Sequence, residues 1–387
     1  MSTTPNNPTT IALVLRTGLE FGRDIALGIG EYLRGRSDVR AQLLPFDPER
    51  AQRALEHSSP DGIIAQAYPQ LQGVLRAAGL PVVNVTCPSV AADMPCVSVD
   101  SRAIGRKAAE HLLERGYMHF AFVGGRGAFE TDLREAGFID ALEEAAGRIR
   151  SHSNVLSSAH GVFDPASAEF REWLDSLPHP LGVFAHDDHL GARVLRTCED
   201  LGLGVPDEVA IIGAGNDPMC CEISTPQLSS IRLPTHRIGR GAAALIESLI
   251  AGNPPPEAPI LFPPLDVVAR GSTALVAGDE RLRDAVEFIR RHIADPITVG
   301  YVAEKICVSR RWLERNFKRR FGRPPAEQIM ILRISRAQQL LVDTDMPVTQ
   351  IAYETGFSTP SQFSVTFKRR TGKTPSAYRA SQRNAKF

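Results

Sequence analysis

The chain has 387 residues, 43% of them hydrophobic, which is enough for more than one buried core, and its 44 basic side chains balance 44 acidic ones. It contains no run of about 18 consecutive apolar residues, which argues against a membrane span, and the polar residues 1–10 lack the basic flank and apolar stretch of a secretory signal, so a cytoplasmic protein is expected. Six cysteines (Cys87, Cys96, Cys198, Cys220, Cys221 and Cys307) show no CxxC spacing, and vicinal Cys220 and Cys221 would form a strained disulfide; reduced, mostly buried thiols are expected.

From the N-terminus, short apolar runs alternate with helical patterns. Ile11–Leu15 precedes Asp24–Arg34, Gly62–Ala65 precedes Leu71–Ala78, and Val82–Val85 precedes Ile104–Arg115. The alternation resumes with His119–Val123 before Glu135–Ala146, Gly182–Ala185 before Leu190–Leu201, and then Val209–Gly213. This pattern predicts a parallel sheet covered by helices. Ligands of open α/β sheets sit beyond the carboxyl ends of the strands. The candidate ligand loops are therefore Arg16–Arg23, Gly124–Arg134, His186–His189 and Gly215–Pro218. Proline-rich Gly252–Pro264 and the weakly patterned Gly271–Gly278 place a domain linker at residues 272–279.

Beyond that linker the balanced charge resolves into an asymmetry. Residues 279–387 carry 21 basic and 11 acidic side chains, net +10, and the remainder is net −10. A basic segment of this size on an acidic body points to a polyanion partner for that segment alone. Its patterns are helical, with long runs at Leu282–Ile293 and Ala326–Leu341.

Two stretches of this region repeat one another, one from Val302 to Pro325 and one from Ile351 to Pro375. The correspondence takes in Ala303 and Ala352, Ser309 and Ser358, Phe317 and Phe367, the runs Lys318–Arg320 and Lys368–Arg370, and Pro325 and Pro375, with a one-residue difference in spacing. Each copy reads as a helix with a small alanine on its inner face, a tight turn, a serine N-cap and a second helix with apolar anchors four residues apart. The anchors are Leu313 with Phe317, and Phe363 with Phe367. The turn needs a residue that tolerates positive φ, supplied by Gly356 in the second copy and by Cys307 at the equivalent place in the first. In such a helix-turn-helix the second helix enters the major groove. Its outward positions, Arg310, Arg311, Glu314 and Arg315 in one copy and Thr359, Ser361, Gln362 and Val365 in the other, are expected to face base edges. Lys318, Arg319, Lys368 and Arg369 are expected to neutralise phosphates. A helical protein-interaction domain or an RNA binder is the competing reading.

Residues 279–383 resemble the DNA-binding domain of AraC-type regulators. The run that carries the likeness extends from Ile351 to Tyr378, with Gly356-Phe357, Phe363, Phe367-Lys368, Gly372, Thr374-Pro375 and Tyr378-Arg379. The resemblance implies two helix-turn-helix units joined by the helix near Ala326–Leu341, reading major-groove faces that recur roughly every 34 Å along one side of DNA.

Residues 8–275 resemble the ligand-binding core of LacI-type regulators and periplasmic sugar-binding proteins. The matching segments are Val99–Gly116, Phe120–Gly124, Leu133–Phe138, Val183–Ile231, Gly239–Ala243 and Val267–Thr273 with Arg270. A sensor of this kind ahead of an AraC-type reader resembles the xylose-operon regulators. The implied fold is a two-lobed α/β periplasmic-binding-protein-like domain followed by an all-α domain with two helix-turn-helix units. The implied function is transcriptional regulation by a small sugar, xylose or a related monosaccharide, bound between the lobes. Double-stranded operator DNA, a second copy of the chain and RNA polymerase are the implied partners, with no membrane and no cofactor. Sugars need Asp, Asn and Arg to share hydroxyl hydrogen bonds, and matching family positions gives Arg134, Asp187, Asn216 and Asp217 as ligand residues. Asp187 would serve equally as a helix cap. The family pattern after the last of these strands is Gly-x-Asp followed by Asn or Asp, and here Gly215 stands where that acceptor is expected, which leaves the identity of the sugar open.

Three motifs are set aside. His186-Asp187-Asp188-His189 looks like a set of metal ligands, but no third cluster follows at suitable spacing, so no metal is expected. Gly124-Gly125-Arg126-Gly127 lacks the Lys-Ser/Thr of a phosphate loop and is read as a cleft loop. No nucleophile triad has a recognisable local signature, so no catalytic residue is assigned. A regulator with another ligand or none, and a sugar-processing enzyme with a DNA-binding tail, are the rivals.

Overall fold

The computed structural model describes residues 8–117, 119–124, 129–146, 155–160, 167–274, 280–321 and 323–383. The chain opens with strand β1 (Thr9–Val14), helix α1 (Glu20–Leu33), β2 (Val39–Leu43), α2 (Pro48–Ser58), β3 (Gly62–Ala65), α3 (Pro69–Ala77), β4 (Val82–Asn84) and β5 (Val97–Val99). The first four strands form a parallel sheet in the order β2-β1-β3-β4, and Asn84 bridges to Cys96 just before β5. Their inward residues alternate between two cores: Ile11 and Leu13 face one, Ala12 and Val14 the other. This double burial is why these strands read as continuous apolar runs.

The chain then passes to a second lobe through α4 (Ser101–Glu114), β6 (His119–Gly124), α5 (Phe129–Ala146), β7 (Val155–His160), α6 (Ala168–Asp175), β8 (Leu181–Ala185), α7 (Asp188–Leu201), β9 (Val209–Gly215), α8 (Pro218–Cys221) and β10 (Ser229–Arg232). It returns to the first lobe with α9 (Thr235–Ile250) and β11 (Ile260–Phe262), which pairs with β5, and crosses back with β12 (Val267–Val268) on the edge of β10. The second sheet runs β12-β10-β9-β8-β6-β7, parallel except for β12. Aspartates set the helix starts: Asp100 accepts from Ala103 N at 2.9 Å and Asp187 from Leu190 N at 2.7 Å. Glycines let helices touch. A Cβ on Gly105 would lie 1.8 Å from Arg134 O, and one on Gly137 would lie 1.9 Å from Arg102 O, so α4 and α5 cross backbone to backbone.

Residues 271–273 form a short 3-10 turn in which Ser272 and Thr273 are fully buried. Ser272 Oγ donates to Ile211 O at 2.6 Å, and Arg115 Nε donates to Thr273 O at 2.7 Å. The expected linker at 272–279 is thereby corrected at its start: 272 and 273 belong to the sensing core because their hydroxyls are consumed in it, and 275–279 lie outside the described residues. His111 is buried beside this turn, with Nε2 2.9 Å from Thr273 Oγ1 and Arg115 donating to Nδ1 at 2.9 Å. Arginine can only donate, so Nδ1 accepts and the Nε2 hydrogen points to the threonine. Burial first, then Arg115 and Arg290, holds this imidazole neutral, well below its usual 6.5.

The remainder is helical: α10 (Glu280–Arg291), α11 (Val299–Lys305), α12 (Arg310–Phe321), α13 (Pro325–Asp343), α14 (Val348–Glu354), α15 (Pro360–Thr371) and α16 (Pro375–Arg383). Two small cores divide it, one around Val302, Leu313 and Phe317 and one around Ile351, Phe363 and Phe367. Helix α13 contributes to both, through Ile329 and Leu332 to the first and Ala337 and Leu341 to the second. Its 19 residues span about 28 Å at a rise of 1.5 Å each.

Candidate functional site: an interlobe cleft and a paired helix-turn-helix face

The carboxyl ends of both sheets point at one another across a cleft of about 610 Å³. All four loops expected from the sequence reach it. Arg16, Glu20 and Phe21 come from after β1; Glu130 and Arg134 from α5; His186, Asp187, Asp188 and His189 from after β8; and Gly215 and Asp217 from after β9. Residues 125–128, including the glycine-rich run after Gly124, lie outside the described residues. Gln66, Tyr68 and Thr86 of the first lobe also line the cleft, positions that no motif in the sequence marked. Gln66 is held by Arg16 N, which donates to its Oε1 at 2.6 Å.

Arg134 is 7% exposed, and its guanidinium donates to the carbonyl of His186. Its Nε is buried with no hydrogen-bond partner. Burial lowers the pKa of this arginine, with Glu130, Asp187 and Asp188 opposing the shift. Asp187 lines the cleft and caps α7, so the two roles weighed for it coexist. Asp217 is 7% exposed, caps α8 by accepting from Met219 N at 2.9 Å, and lines the cleft.

Asn216 is a correction. It takes a left-handed backbone at φ 64°, its amide oxygen accepts from Arg270 at 2.9 Å, and it is not among the residues lining the cleft. Beside Gly215 stands a carboxylate from another loop, that of Asp188. A Cβ on Gly215 would lie 2.8 Å from Asp188 Oδ2. Asp188 therefore occupies the space beside position 215, and at φ 138° that position strains any other residue. Asp188 is 2% exposed; Oδ2 accepts from Asp217 N at 2.8 Å, and the Ser230 hydroxyl and Asn216 N also donate to this carboxylate. Burial pushes its pKa up to about 6. Glu20, half-buried on the opposite lobe, is pushed up to about 7 by burial and then by Asp24, Asp217 and Asp188. The signal for Asp188 was present in the His186–His189 run, which was named as a cleft loop and set aside as a metal site without Asp188 being singled out.

In the C-terminal part, α11 with α12 and α14 with α15 form two helix-turn-helix units. Cys307 and Gly356 both take left-handed backbones, at φ 56° and 75°, so the turns match as the repeat predicts. The anchors Leu313, Phe317, Phe363 and Phe367 are fully buried, and Ala303 and Ala352 sit on the inner faces. The caps differ by one residue. Ser309 Oγ accepts from Trp312 N at 3.1 Å as expected, whereas in the second unit Thr359, not Ser358, accepts from Gln362 N at 3.2 Å. The shift absorbs the one-residue difference between the copies and brings proline, at 360, to the first helical position.

Of the expected base-facing positions, Arg310, Arg311, Arg315, Thr359, Ser361, Gln362 and Val365 are exposed and Glu314 is half-buried. Arg310 Nε donates to Glu314 at 2.8 Å, so these two sit together as an ion pair on the helix face. Val365 is 65% exposed, unusual for an apolar side chain with a core beside it. Lys318, Lys368 and Arg369 are exposed, as phosphate contacts require; the side chain of Arg319 lies outside the described ones. Arg333 was not marked by the sequence. It runs from α13 to the carbonyls of Ile293 and Asp295 and lies over the Phe357 ring, tying one unit to the other.

Two family models match this chain: a periplasmic binding protein-like domain over residues 109–273 and a helix-turn-helix domain over residues 302–381. The xylose operon regulatory protein of Haemophilus influenzae is 28% identical over 379 residues, covering 95% of this chain and 97% of the relative. That of Escherichia coli (strain K12) is 27% identical over 378 residues, covering 95% and 96%. A solved structure of the xylose-binding transcription activator xylR superposes with a TM-score of 0.59 at 26% identity, covering 96% of this chain and 98% of that one. A transcriptional regulator CelR–cellobiose complex superposes at 0.56 and 27% identity, covering 70% and 86%. The chain is a DNA-binding transcriptional regulator, a periplasmic-binding-protein-like domain ahead of a helix-turn-helix domain, similar along its length to xylose operon regulatory proteins. Among the described residues no helix is long and apolar enough to cross a membrane.

Proposed function

We propose that this regulator is controlled by a neutral monosaccharide, D-xylose or a close relative, bound between its lobes. The observation that carries the reading is Arg134: a buried guanidinium in the cleft wall whose Nε has no partner. A buried donor left unpaired costs about 1–3 kcal/mol, which a sugar hydroxyl would recover. Asp187 and Asp188 line the same cleft with their carboxylates, so a hydroxyl-bearing ligand finds acceptors as well as a donor. Five carboxylates line the cleft (Glu20, Glu130, Asp187, Asp188 and Asp217) against three arginines (Arg16, Arg134 and Arg193). That balance favours a neutral sugar over a phosphorylated one.

The reader acts on a double-stranded operator. Arg310, Arg311, Glu314 and Arg315 of α12 and Thr359, Ser361, Gln362 and Val365 of α15 read bases, while Lys318, Lys368 and Arg369 hold phosphates. Ligand closes the lobes, and the closed population rearranges a cytoplasmic homodimer so that its readers fit, or leave, their half-sites and their contact with RNA polymerase.

Thermal unfolding of the full-length chain against a panel of pentoses and hexoses tests the sensing part. One sugar is expected to raise the midpoint in a concentration-dependent way, because a ligand bound only to the folded state stabilises it. Arg134→Ala is expected to abolish that rise. A flat response of the wild-type chain to every neutral sugar overturns the reading.

A further inference from the structure

Among the described residues, His189 of the run His186–His189 joins two other metal-binding side chains in space, and they come from a different loop. Asp217 starts α8 and Cys220 lies three residues on, so both face His189, the second residue of α7. Cys220 Sγ is 3.3 Å from His189 Nδ1, and Asp217 Oδ2 is 3.5 Å from His189 Nε2. One ligand atom from each of the three falls within 4.8 Å of the others. We propose that this wall of the cleft binds a zinc ion through Cys220, His189 and Asp217.

The donor set and the spacing support zinc over harder cations. Tetrahedral zinc with bonds of about 2.0 Å to nitrogen or oxygen and 2.3 Å to sulfur has ligand-to-ligand edges of roughly 3.3–3.6 Å. Each of the two contacts above has such a length, but they use different nitrogens of one ring, so the ion takes one of them as an edge and the ring turns to close the other. A mixed thiolate, imidazole and carboxylate set suits zinc, whereas magnesium and calcium take oxygen ligands. His189 is half exposed, so its ring can turn to offer one nitrogen to the ion while Cys220 and Asp217 stay fixed in the wall. Three protein ligands leave a fourth position open toward the cleft, where Glu20 of the opposite lobe carries an unpartnered Oε2. An ion at this place would draw Glu20 across the cleft and favour the closed arrangement of the lobes without any sugar.

The test uses the full-length chain, stripped with chelator, and zinc or cobalt alone. Calorimetry is expected to show one zinc per chain, and cobalt to give a thiolate charge-transfer band. Cys220→Ser should remove the band, and Cys220→Ser and His189→Ala should each weaken zinc at least about tenfold, the loss typical even of residues behind the direct ligands. Cys307, the exposed cysteine, is the control: Cys307→Ser should bind as the wild type does. His189 projects from the fold surface, so its variant keeps the test valid if Cys220→Ser fails to fold. Absence of zinc binding by the wild-type chain, unchanged binding in His189→Ala, or loss of binding in Cys307→Ser overturns the assignment. None of these readouts depends on which sugar the cleft accepts.

Discussion

At position 215 a glycine stands because a neighbour's carboxylate takes the room. Aligning this chain with a family pattern shows a lost acid there, but not that Asp188, from another loop, stands in the same space, because that carboxylate comes from a different strand end. Conversely, Asn216 kept the expected residue type and lost the expected place, since its left-handed backbone turns the amide toward Arg270. Residue identity at a loop position was therefore legible and side-chain direction was not. Gly215→Ala should cost about 1–3 kcal/mol of stability, the range for a side chain forced into a sparsely populated backbone region, and more if Asp188 must yield the 2.8 Å now open to it. Urea unfolding at unchanged slope measures this. A neutral substitution would mean that the backbone at 215 relaxes and that Asp188 does not define this wall.

The helices and strands legible in the sequence were those with one apolar face and a clear terminator. Gly62–Ala65 appears as a strand with the very bounds read from its apolar run, and the paired repeats became two helix-turn-helix units with both turns at positive φ. Strand β2 escaped notice for a physical reason: it lies on the sheet edge, where only Val39 of its five residues is buried, so it carries no apolar run. The repeat also makes an internal control. A non-glycine residue in the left-handed region costs roughly 1–2 kcal/mol, and Cys307 is exposed, so little packing is lost with its side chain. Cys307→Gly should stabilise the chain by about 0.5–1 kcal/mol after the entropy of the added glycine is subtracted. Gly356→Ala should do the reverse by at least about 2 kcal/mol, because its Cβ would meet Ile293 O at 2.5 Å and Arg333 at 2.7 Å. Chemical denaturation of the two variants decides whether the turns are equivalent. On the outer faces of the same helices, Arg310→Ala and Gln362→Ala should cost about 1–3 kcal/mol on the operator and relax discrimination, while Lys368→Ala weakens specific and random duplexes alike and lowers the salt slope by about one. Equal losses for all three on both duplexes would reassign Arg310 and Gln362 to the backbone. Because Glu314 now holds Arg310, Glu314→Ala separates the pair's mutual contact from its contact with DNA.

How the two domains meet was not legible at all, because the junction rests on main-chain carbonyls. Arg323 donates to the carbonyl of Leu113, Gln328 donates to that of Glu114 at 3.1 Å, and Arg290 approaches the Glu114 carboxylate at 3.8 Å, all at the end of α4. A carbonyl has no residue-type signature, so only the three donors and the Glu114 carboxylate could have been noticed. The reader thus rides on the second lobe, and whatever moves that lobe relative to the first moves the DNA-binding face. Glu110 sits in this junction, in a small cavity shared by Arg106 and Glu144 of the sensor with Glu327, Gln338 and Arg370 of the reader. Burial first, then Glu114, pushes its carboxyl up to about 7 from 4.5; Glu144 adds to the rise and Arg106 and Lys107 oppose it. An acid raised in the folded state lends stability in its protonated form. That contribution is complete below the unfolded value of 4.5 and is lost as the pH climbs through about 7. The neutral, buried His111 runs the other way: its contribution is present above 6.5 and lost as the pH falls below it, so the wild-type profile mixes the two. The difference between wild type and Glu110→Gln isolates the first, since glutamine carries no charge to lose. The variant's thermal midpoint should gain on that of the wild type across the window from about 4.5 to 7, with the gap levelling off above it. Parallel profiles would place Glu110 in solvent and the domains apart at neutral pH, and would remove the mechanical route by which the second lobe steers the reader.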